Sequence, residues 1–487
     1  MEKSKHSYYL IQSVFGLLAV FLLLSHYLGI PVFDEFYTAS VVSLIVYGYS
    51  FFVLILVYRF PVVSFPVLFL LVYGLFHLST MILTVFDSFE VAVSTYDYLD
   101  IPSLKVASVV VILTLSAFML GVGVANQRST FWIQATTEKK TRRKDYTQAI
   151  HFIAYGLFGL AASIIVVVSL SGEGLSISVN QSYRAFIEWR SQDKLIITLF
   201  MASLNWLLPW SILMLFGCAE NTRQLLRFSI FAGFGVILMV LSGDRTAPLI
   251  IFILFFVRMY LFRVNISFIK LLPVMTLVVL LIPILSILRH EGFGTWNSQS
   301  LTDAIFLEAG ESFRVGMNPV TATLIETGAG FQNLMGTVLV VPKNEDYRYG
   351  IDYLKSLVVG VPFSAKILGI SVPDNSGWIK SWLFPLRMAG PGFSISAETY
   401  LQFGNIGVLV IFFGLGYIIT YGWFYLCANS DNKQIVMYLL ILMQVILIWV
   451  RNEFTATIRP AAWCWILIFI IIPILQKILF NPRRRHN

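Results

Sequence analysis

The residues of this chain that are best suited to chemistry are arginines beside the ends of long apolar segments. A guanidinium is always charged, and its planar fork of donors fits the oxygens of a phosphate. We interpret these arginines as ligands of a phosphate-type anion. The set comprises Arg184, Arg245, Arg289, Arg451 and Arg459.

Arg245 lies in a tight turn between two apolar segments. Gly243 permits the turn, Asp244 or Thr246 can cap the helix that follows, and Pro248 suits its first turn. The start of that helix presents unpaired N–H groups and the positive end of its dipole beside Arg245, which favours an anion. The alternative is a turn arginine paired with Asp244 or with a lipid headgroup.

A second turn repeats this pattern, because Arg451 and Arg459 precede Pro460. Proline predicts that a helix opens at position 460. The two arginines are eight residues apart and share one face if the segment is helical. The alternative is a pair of Arg451 with Glu453 or of Arg459 with a lipid.

Two further groups combine an arginine with other reactive side chains. Arg289, His290 and Glu291 supply a cation, an imidazole and a carboxylate directly after an apolar segment. The alternative is a set of interfacial charges that ends a helix. Tyr183 beside Arg184 could combine sugar stacking with an anion contact, or could be an ordinary loop pair.

A candidate general base lies in the glycine-rich segment 390–407, which holds Glu398 and Tyr400 ahead of an apolar stretch. We expect Glu398 to lie near a membrane surface, where it could accept a proton. The alternative is a re-entrant elbow packed against the other helices.

The elements that position these residues are membrane-spanning helices. The chain has 487 residues, of which 57% are hydrophobic and 12% are charged, about half the charged fraction of a soluble domain. Runs of about 20 apolar residues recur along it, and the short alternating segments of a membrane β-barrel are absent. The sequence predicts an all-α polytopic membrane protein that forms a single domain over 1–487.

Hydrophobic length predicts about twelve transmembrane helices. Only Arg59, Phe60 and Pro61 separate the second from the third. The predicted spans are 8–29, 39–60, 61–86, 105–126, 147–170, 195–218, 225–241, 247–263, 265–288, 405–427, 434–450 and 460–480.

The distribution of charge sets the predicted topology. Basic residues collect in cytoplasmic loops, and the runs 138–144 and 483–485 fit such loops when both termini are cytoplasmic. The net charge of +8 is explained by this bias, so it does not indicate nucleic acid as a partner. The five arginines then lie on the outer side, against the bias.

Two predicted outer loops are long, at 171–194 and at 289–404 between spans 9 and 10. Long loops in compact proteins are usually functional. We expect the large extracytoplasmic loop to form short helices that lie over the outer membrane face. The spans carry no midplane carboxylate, which disfavours an ion-coupled transporter. Arg258 is expected to snorkel towards the cytoplasm, and Cys218, Cys427 and Cys464 to be small core residues.

Three segments resemble one family. Gly-Phe-Ser-Ile-Ser-Ala-Glu-Thr-Tyr-Leu-Gln-Phe-Gly-Asn-Ile-Gly at 392–407 resembles the segment before the late spans of Wzy-type O-antigen and capsule repeat-unit polymerases. The turn 242–245 resembles their Ser-Gly-x-Arg turn, with Asp244 in place of a small residue. The segment 349–357, followed by Val361 and Pro362, is similar to the loop segment that precedes the 392–407 motif in these polymerases.

The resemblance implies a GT-C-like membrane glycosyltransferase that needs no metal or cofactor. It would act in the cytoplasmic (inner) membrane of a bacterium with its active site facing outward. Its substrate would be an oligosaccharide repeat unit carried on undecaprenyl pyrophosphate, and the growing chain would be moved onto the next unit. Membrane lipids, a chain-length regulator and a flippase of the same pathway are the other implied partners.

In this interpretation, Arg245, Arg289 and Arg451 or Arg459 bind the pyrophosphate, and Glu398 is the base, with His290 or Glu291 as second choices. Arg184 and Tyr400 complete the predicted substrate-binding set. An O-antigen ligase, a flippase for lipid-linked sugars and a structural membrane subunit are the alternatives. A ladder of products would distinguish a polymerase from the single transfer made by a ligase.

Overall fold

The computed structural model describes a chain of helices joined by turns. In the described ranges every regular element is helical, which confirms the all-α prediction for them. These ranges are 2–28, 32–86, 101–137, 147–176, 188–189, 192, 194–242, 246–264, 321, 324, 327–361, 364–383 and 392–479.

The helices are numbered here in chain order, and three of them continue through a π-helical turn. They are α1 (Glu2–Tyr27), α2 (Phe36–Phe52, continued by Val53–Val57), α3 (Phe65–His77), α4 (Ser79–Val85), α5 (Ile101–Thr137), α6 (Thr147–Leu170), α7 (Leu195–Ala202, continued by Ser203–Leu207), α8 (Leu208–Cys218), α9 (Thr222–Leu241), α10 (Thr246–Leu261), α11 (Ala329–Val340), α12 (Ile351–Gly360), α13 (Ser364–Leu368), α14 (Asn375–Leu383), α15 (Ile395–Ala428), α16 (Lys433–Trp449), α17 (Phe454–Ile466, continued by Leu467–Ile471) and α18 (Ile472–Leu479).

Seven helical segments in the described ranges are long and apolar enough to cross a membrane. Shorter apolar helices occur at Leu10–Ser25, Thr246–Leu261 and Lys433–Trp449. The multi-pass architecture is therefore confirmed, whereas the number of about twelve spans stays a prediction. Predicted span 265–288 lies outside the described residues. The seven segments are Phe36–Val57, Pro102–Arg128, Thr147–Leu170, Leu195–Cys218, Thr222–Leu241, Ile395–Ala428 and Phe454–Leu479.

The predicted third span, 61–86, is not one straight helix. It consists of α3 and α4, which meet at an angle of 60°. Pro66 lies in the first turn of α3, where its missing N–H costs no helical hydrogen bond. The separation from the span before it, around Arg59, is confirmed, because the π-helical turn ends at Val57 and α3 begins at Phe65.

The chain divides into two compact units, each assembled from separate stretches of sequence. The first comprises Met1–Thr141, Leu324–Ala428 and Ile446–Arg459, and the second comprises Arg142–Thr323, Asn429–Val445 and Pro460–Asn487. The single domain over 1–487 stays a prediction.

In the first unit, α5 and α15 lie with their backbones almost in contact. A Cβ atom at Gly121 would clash with the Phe413 carbonyl oxygen, and one at Gly416 would clash with the Phe118 carbonyl oxygen. Small residues that allow such an approach are typical of helix packing in membranes. This pair of helices is the scaffold on which the rest of the unit packs.

Helix α15 begins ten residues before the predicted start of its span at 405 and breaks at Gly404. Gly404 has φ 64° and ψ −153°, a conformation that only glycine adopts readily. Hydrophobic length located only the apolar part of this helix. The part before Gly404 carries polar residues that are buried inside the protein, so it has no apolar signature.

The large loop forms short helices, as predicted, but one of them does not lie over a surface. The residues of α11 are buried nearly throughout, with Phe331 and Leu334 fully enclosed. A Cβ atom at Gly330 would lie 2.8 Å from the Phe76 carbonyl oxygen, so this glycine allows α11 to pack closely against α3. Helix α11 is therefore part of the interior of the unit.

In the second unit, Arg258 of α10 is buried, so the expectation that it snorkels is wrong. Its Nε donates to the Phe216 carbonyl oxygen at 3.0 Å and its Nη2 to the Ala219 carbonyl oxygen at 2.6 Å. Both carbonyls lie at the end of α8, where backbone acceptors have no helical donor. The guanidinium therefore caps a neighbouring helix.

The cysteines divide between interior and surface. Cys218 and Cys464 are buried, as expected, whereas Cys427 is exposed. Cys427 lies near the end of candidate span α15, so its exposure on the protein is compatible with contact with lipid.

Candidate functional site

The candidate site of the first unit is built around the first turn of α15. Ser394 caps this helix: its Oγ accepts from the Ala397 N–H at 3.3 Å and donates to the Gly330 carbonyl oxygen at 3.0 Å. Ser396 shares a hydrogen bond of 3.0 Å with the Tyr73 hydroxyl. The start of α15 is thus fixed to α11 and α3.

Glu398, one turn into α15, is fully buried and its carboxylate accepts three hydrogen bonds. Oε1 accepts from Asn375 Nδ2 at 3.2 Å. Oε2 accepts from the Trp449 indole N–H at 2.9 Å and from the Phe454 backbone N–H at 2.7 Å. The sequence suggested a carboxylate near a membrane surface, but the folded chain encloses it between α14, α16 and α17. The hydrogen bonds of the Glu398 carboxylate connect these three helices to α15.

Asn375, the first residue of α14, connects Glu398 to two other charged groups. Its Oδ1 accepts from Arg348 Nη1 at 2.6 Å, and its backbone N–H donates to Glu453 Oε2 at 2.8 Å. Because Arg348 occupies the amide oxygen, the amide nitrogen of Asn375 must face Glu398. Asn375 is fully buried, so each of these bonds forms away from water.

Arg348 also anchors the start of α12. Its Nη1 donates to Asp352 Oδ2 at 2.8 Å, and Gln402 Nε2 donates to the same oxygen at 2.8 Å. Gln402 Oε1 in turn accepts from the Gly350 N–H at 3.1 Å. Residues far apart in sequence thus form one polar network, which runs from Asp352 through Arg348 and Asn375 to Glu398.

The turn between α16 and α17 lies at the edge of this network. Trp449 and Phe454, which both donate to Glu398, stand on either side of Arg451. The guanidinium of Arg451 is half-buried, with Cζ 5.5 Å from the centre of the Phe76 ring. Burial raises the pKa of the Glu453 carboxyl in the same turn, whereas the Asn375 N–H acts in the opposite direction.

The residues matched by a known family extend over nearly the whole chain. The family model described as "O-antigen polysaccharide polymerase Wzy" matches residues 10–483. The chain belongs to the Wzy O-antigen polymerase family. Curated proteins and solved structures give no match.

Membership of the Wzy family establishes the general role of the chain. It supports an O-antigen polymerase of the glycosyltransferase type that acts on lipid-linked oligosaccharide repeat units in a membrane. The apolar helices agree with a multi-pass membrane protein. Within the described residues, no group of three or more His, Cys, Asp and Glu side chains could hold a metal ion.

The fold brings some of the predicted Wzy site residues together. Glu398 and the turn that carries Arg451 are joined directly by hydrogen bonds. Arg459 lies half-buried inside α17. Five other members of the predicted set lie outside the described residues, so their convergence on this site stays a prediction. They are Arg184, Arg245, Arg289, His290 and Glu291.

The expected helix start at Pro460 is wrong. Helix α17 begins at Phe454, and Pro460 lies inside it. The Phe454 N–H finds its acceptor in Glu398, so the helix starts where a buried carboxylate accepts from its first residue. Arg451 therefore precedes the helix and Arg459 lies within it, and the two do not share a helical face.

Tyr400 is also in the interior. It is buried, and its ring lies edge-on to Tyr347 with 5.9 Å between ring centres. In this conformation it supports Tyr347 and the break at Gly404.

Sequence reasoning missed Arg348, Asp352, Asn375 and Gln402. A partial signal was present: Arg348 and Asp352 are four residues apart, the spacing of a helical ion pair, in a chain with few charges. Asn375 gave no signal, because an uncharged amide at a helix start has many ordinary roles. Gln402 lies within the family-like segment 392–407, but nothing in that segment singled it out.

Proposed function

We propose that this chain joins oligosaccharide repeat units carried on undecaprenyl pyrophosphate into an O-antigen or capsule polysaccharide. The reaction would take place at the outer face of the bacterial cytoplasmic membrane, on a GT-C-like fold. The observation that carries the proposal is the family match over residues 10–483. A chain-length regulator and a flippase of the same pathway would be the protein partners.

The proposed step is a glycosyl transfer without a metal. A hydroxyl oxygen of the incoming unit attacks the anomeric carbon of the growing chain and forms the new glycosidic bond. The bond from that carbon to the phosphate oxygen breaks, and undecaprenyl pyrophosphate leaves with the electron pair. A base takes the hydroxyl proton. Negative charge gathers on the leaving group, so fixed cations lower the barrier.

Arg451 is the described residue best suited to bind the pyrophosphate. Its turn is held from both sides by Glu398, so the guanidinium is presented by a rigid segment rather than a mobile loop. Preorganised charge of this kind stabilises a transition state more than a flexible side chain does. Arg459, Arg245, Arg289 and Arg184 are proposed as the other cations around the same anion.

The base is assigned by the accessibility of the candidates. Glu398 is fully buried and already accepts three hydrogen bonds, whereas a base must reach the hydroxyl it deprotonates. This supports a positioning role for Glu398 and leaves His290 and Glu291 as the proposed bases. Tyr400 is also buried, so it would support the residues that line the site rather than contact the sugar.

The test is a polymerisation assay with the full chain in lipid nanodiscs. The probe is the pool of lipid-linked repeat units extracted from cells that lack the polymerase. Wild type should give a ladder on a gel, and Arg451→Ala should slow it by roughly 10²–10³, by analogy with the loss of one oxyanion donor. Arg227→Ala, which removes an exposed arginine of α9, is the matched control and should give the wild-type rate.

Each other result has a defined meaning. A single transfer to an acceptor without a ladder would identify a ligase, and movement of the probe across the bilayer without a new bond would identify a flippase. If Arg245→Ala, Arg289→Ala and Arg451→Ala all polymerise at the wild-type rate, the pyrophosphate assignment is wrong.

A further inference from the structure

Two tryptophans of the large loop share one carboxylate. Glu345 Oε1 accepts from the indole N–H of Trp378 at 3.0 Å and from that of Trp382 at 2.9 Å. Glu345 Oε2 also lies 2.9 Å from the Trp378 indole nitrogen. The two indoles stand one turn apart on α14, so a single side chain fixes the orientation of both.

The pair is attached to the polar network of the candidate site. Arg348 stacks on Trp378, with Cζ 4.9 Å from the ring centre, and Phe393 meets the same indole edge-on with 6.5 Å between ring centres. Helix α14 itself starts at Asn375, which is bound to Glu398 and Glu453. The tryptophans are therefore held in place relative to the turn that carries Arg451.

Trp382 is a large aromatic residue that the protein covers only in part. It is 45% exposed, although its N–H is already bonded to Glu345. A tryptophan that anchors a protein at a membrane interface turns its N–H towards water and headgroups. Here the N–H is bonded to a carboxylate of the protein while nearly half of the residue is exposed, so the exposed ring surface is carbon rather than N–H.

An open, rigid indole face suits one class of ligand that the proposed function supplies. A pyranose ring has a face of C–H groups with partial positive charge, and the face of an indole carries partial negative charge. Stacking on a ring that is already fixed costs little conformational entropy. We propose that Trp382, fixed together with Trp378 by Glu345, forms a saccharide-stacking subsite for one pyranose ring of the oligosaccharide repeat unit. The sugar class rests on the proposed function.

The proposal is tested by binding, without turnover. The probe is the repeat-unit oligosaccharide released by mild acid from the lipid-linked pool of cells that lack the polymerase. Saturation-transfer NMR on the full chain in nanodiscs would show which C–H groups lie against aromatic rings, and calorimetry would give the Kd. In wild type the saturated protons should cluster on one face of one ring.

Variants separate stacking from structure. Trp382→Ala should raise Kd about tenfold and abolish the clustered saturation, while Trp382→Phe, which keeps a ring, should stay within about threefold of wild type. Glu345→Ala frees both indoles and should weaken binding, whereas Glu345→Gln keeps an acceptor oxygen and should be close to wild type. Trp465→Ala removes an equally exposed tryptophan, 49% uncovered, from a candidate span and is the matched control.

Wild-type binding and saturation in correctly assembled Trp382→Ala would overturn the subsite, and so would equal loss in Trp465→Ala. The polymerisation assay on the same preparations keeps the two proposals apart. A ladder with unchanged binding by Trp382→Ala refutes the subsite alone. Ring-dependent binding without any ladder supports the subsite and refutes the polymerase.

Discussion

The carboxylate of Glu398 accepts from donors on both of its oxygens, one on α14 and two that flank the turn between α16 and α17. A buried acceptor with its donors in place is stabilising, but the same donors become costly when their acceptor is removed. Asn375 cannot turn its amide to compensate, because Arg348 holds its oxygen. Glu398 is therefore a residue where a change of a single atom has a predictable effect.

Glu398→Gln should lower the free energy of unfolding by about 1–3 kcal/mol, because its NH₂ group must face one of the three donors. The measurement is the thermal unfolding midpoint of the purified protein in detergent. Glu220→Gln is the control: Glu220 forms an exposed ion pair with Lys433, and such pairs contribute little. An unfolding midpoint equal to that of wild type would show that the three hydrogen bonds do not form in solution.

The break in α15 separates a buried polar segment from the apolar part of the span. Tyr347 fills the space beside the break, and the ring atom Cζ would lie 3.0 Å from a Cβ atom at Gly404. Glycine is therefore required at position 404 both by the backbone conformation and by the close approach of Tyr347.

Gly404→Ala should destabilise the protein by about 1–3 kcal/mol, because the new residue would be held in a backbone region that only glycine tolerates. Gly414→Ala is the matched control: this glycine lies in the regular part of the same helix with open space around it, so alanine should be neutral or stabilising. Thermal unfolding of the two variants side by side measures the difference. Equal midpoints would contradict the strain argument.

Helix α12 has its polar side inside and its apolar side outside. Asp352 is buried and bonded to Arg348 and Gln402, and Ser356 shares a hydrogen bond of 2.6 Å with Thr455. The exposed side carries Leu354, 64% uncovered, on a helix that packs beside Phe403. Tyr353 of α12 makes the ring contact with Phe403, which is the first of four exposed apolar residues on the candidate span α15. These four are Phe403, Ile406, Val410 and Phe413.

We therefore expect the outer side of α12 to lie in the lipid. In a chain freed of its native cysteines, Leu354→Cys should react roughly tenfold more slowly with a water-soluble maleimide than Lys343→Cys, as expected for a side chain at the headgroup–acyl boundary. Val410→Cys, on the span itself, is the lipid-facing control. Equal labelling of Leu354→Cys and Lys343→Cys in nanodiscs would show that α12 faces water.

The number and direction of the membrane spans decide on which side of the membrane the site lies. If the charge bias sets the topology, the predicted inner run 138–144 and the described turn at Lys343 lie on opposite sides of the membrane. Lys140→Cys should then be labelled by an impermeant reagent only after the cells are opened, and Lys343→Cys in intact spheroplasts. Labelling of both from the same side would require a different number of spans.

Apolar length predicted the helical class of the chain and the position of several helices, but little of the candidate site. The helix Thr147–Leu170 begins and ends at the predicted limits of its hydrophobic run. The agreement is good because a span needs apolar side chains along its whole length in the hydrocarbon core. The network of Arg348, Asn375 and Glu398 depends instead on packing between segments far apart in sequence. The pattern of neighbouring residues does not predict such contacts. For the same reason it did not predict that α15 starts ten residues early, in a buried polar segment.

The inverted polarity of α12 also determines how this part of the protein can be studied. Its polar groups bond to Arg348, to Gln402 of α15 and to Thr455 of α17, and its exposed side is apolar. A fragment limited to the loop would lose Thr455 and the surrounding lipid, and it would expose the apolar side of α12 to water, where it would aggregate. Antibodies raised against such a fragment would recognise an unfolded epitope, so binders to this surface need the full chain in a bilayer as their antigen.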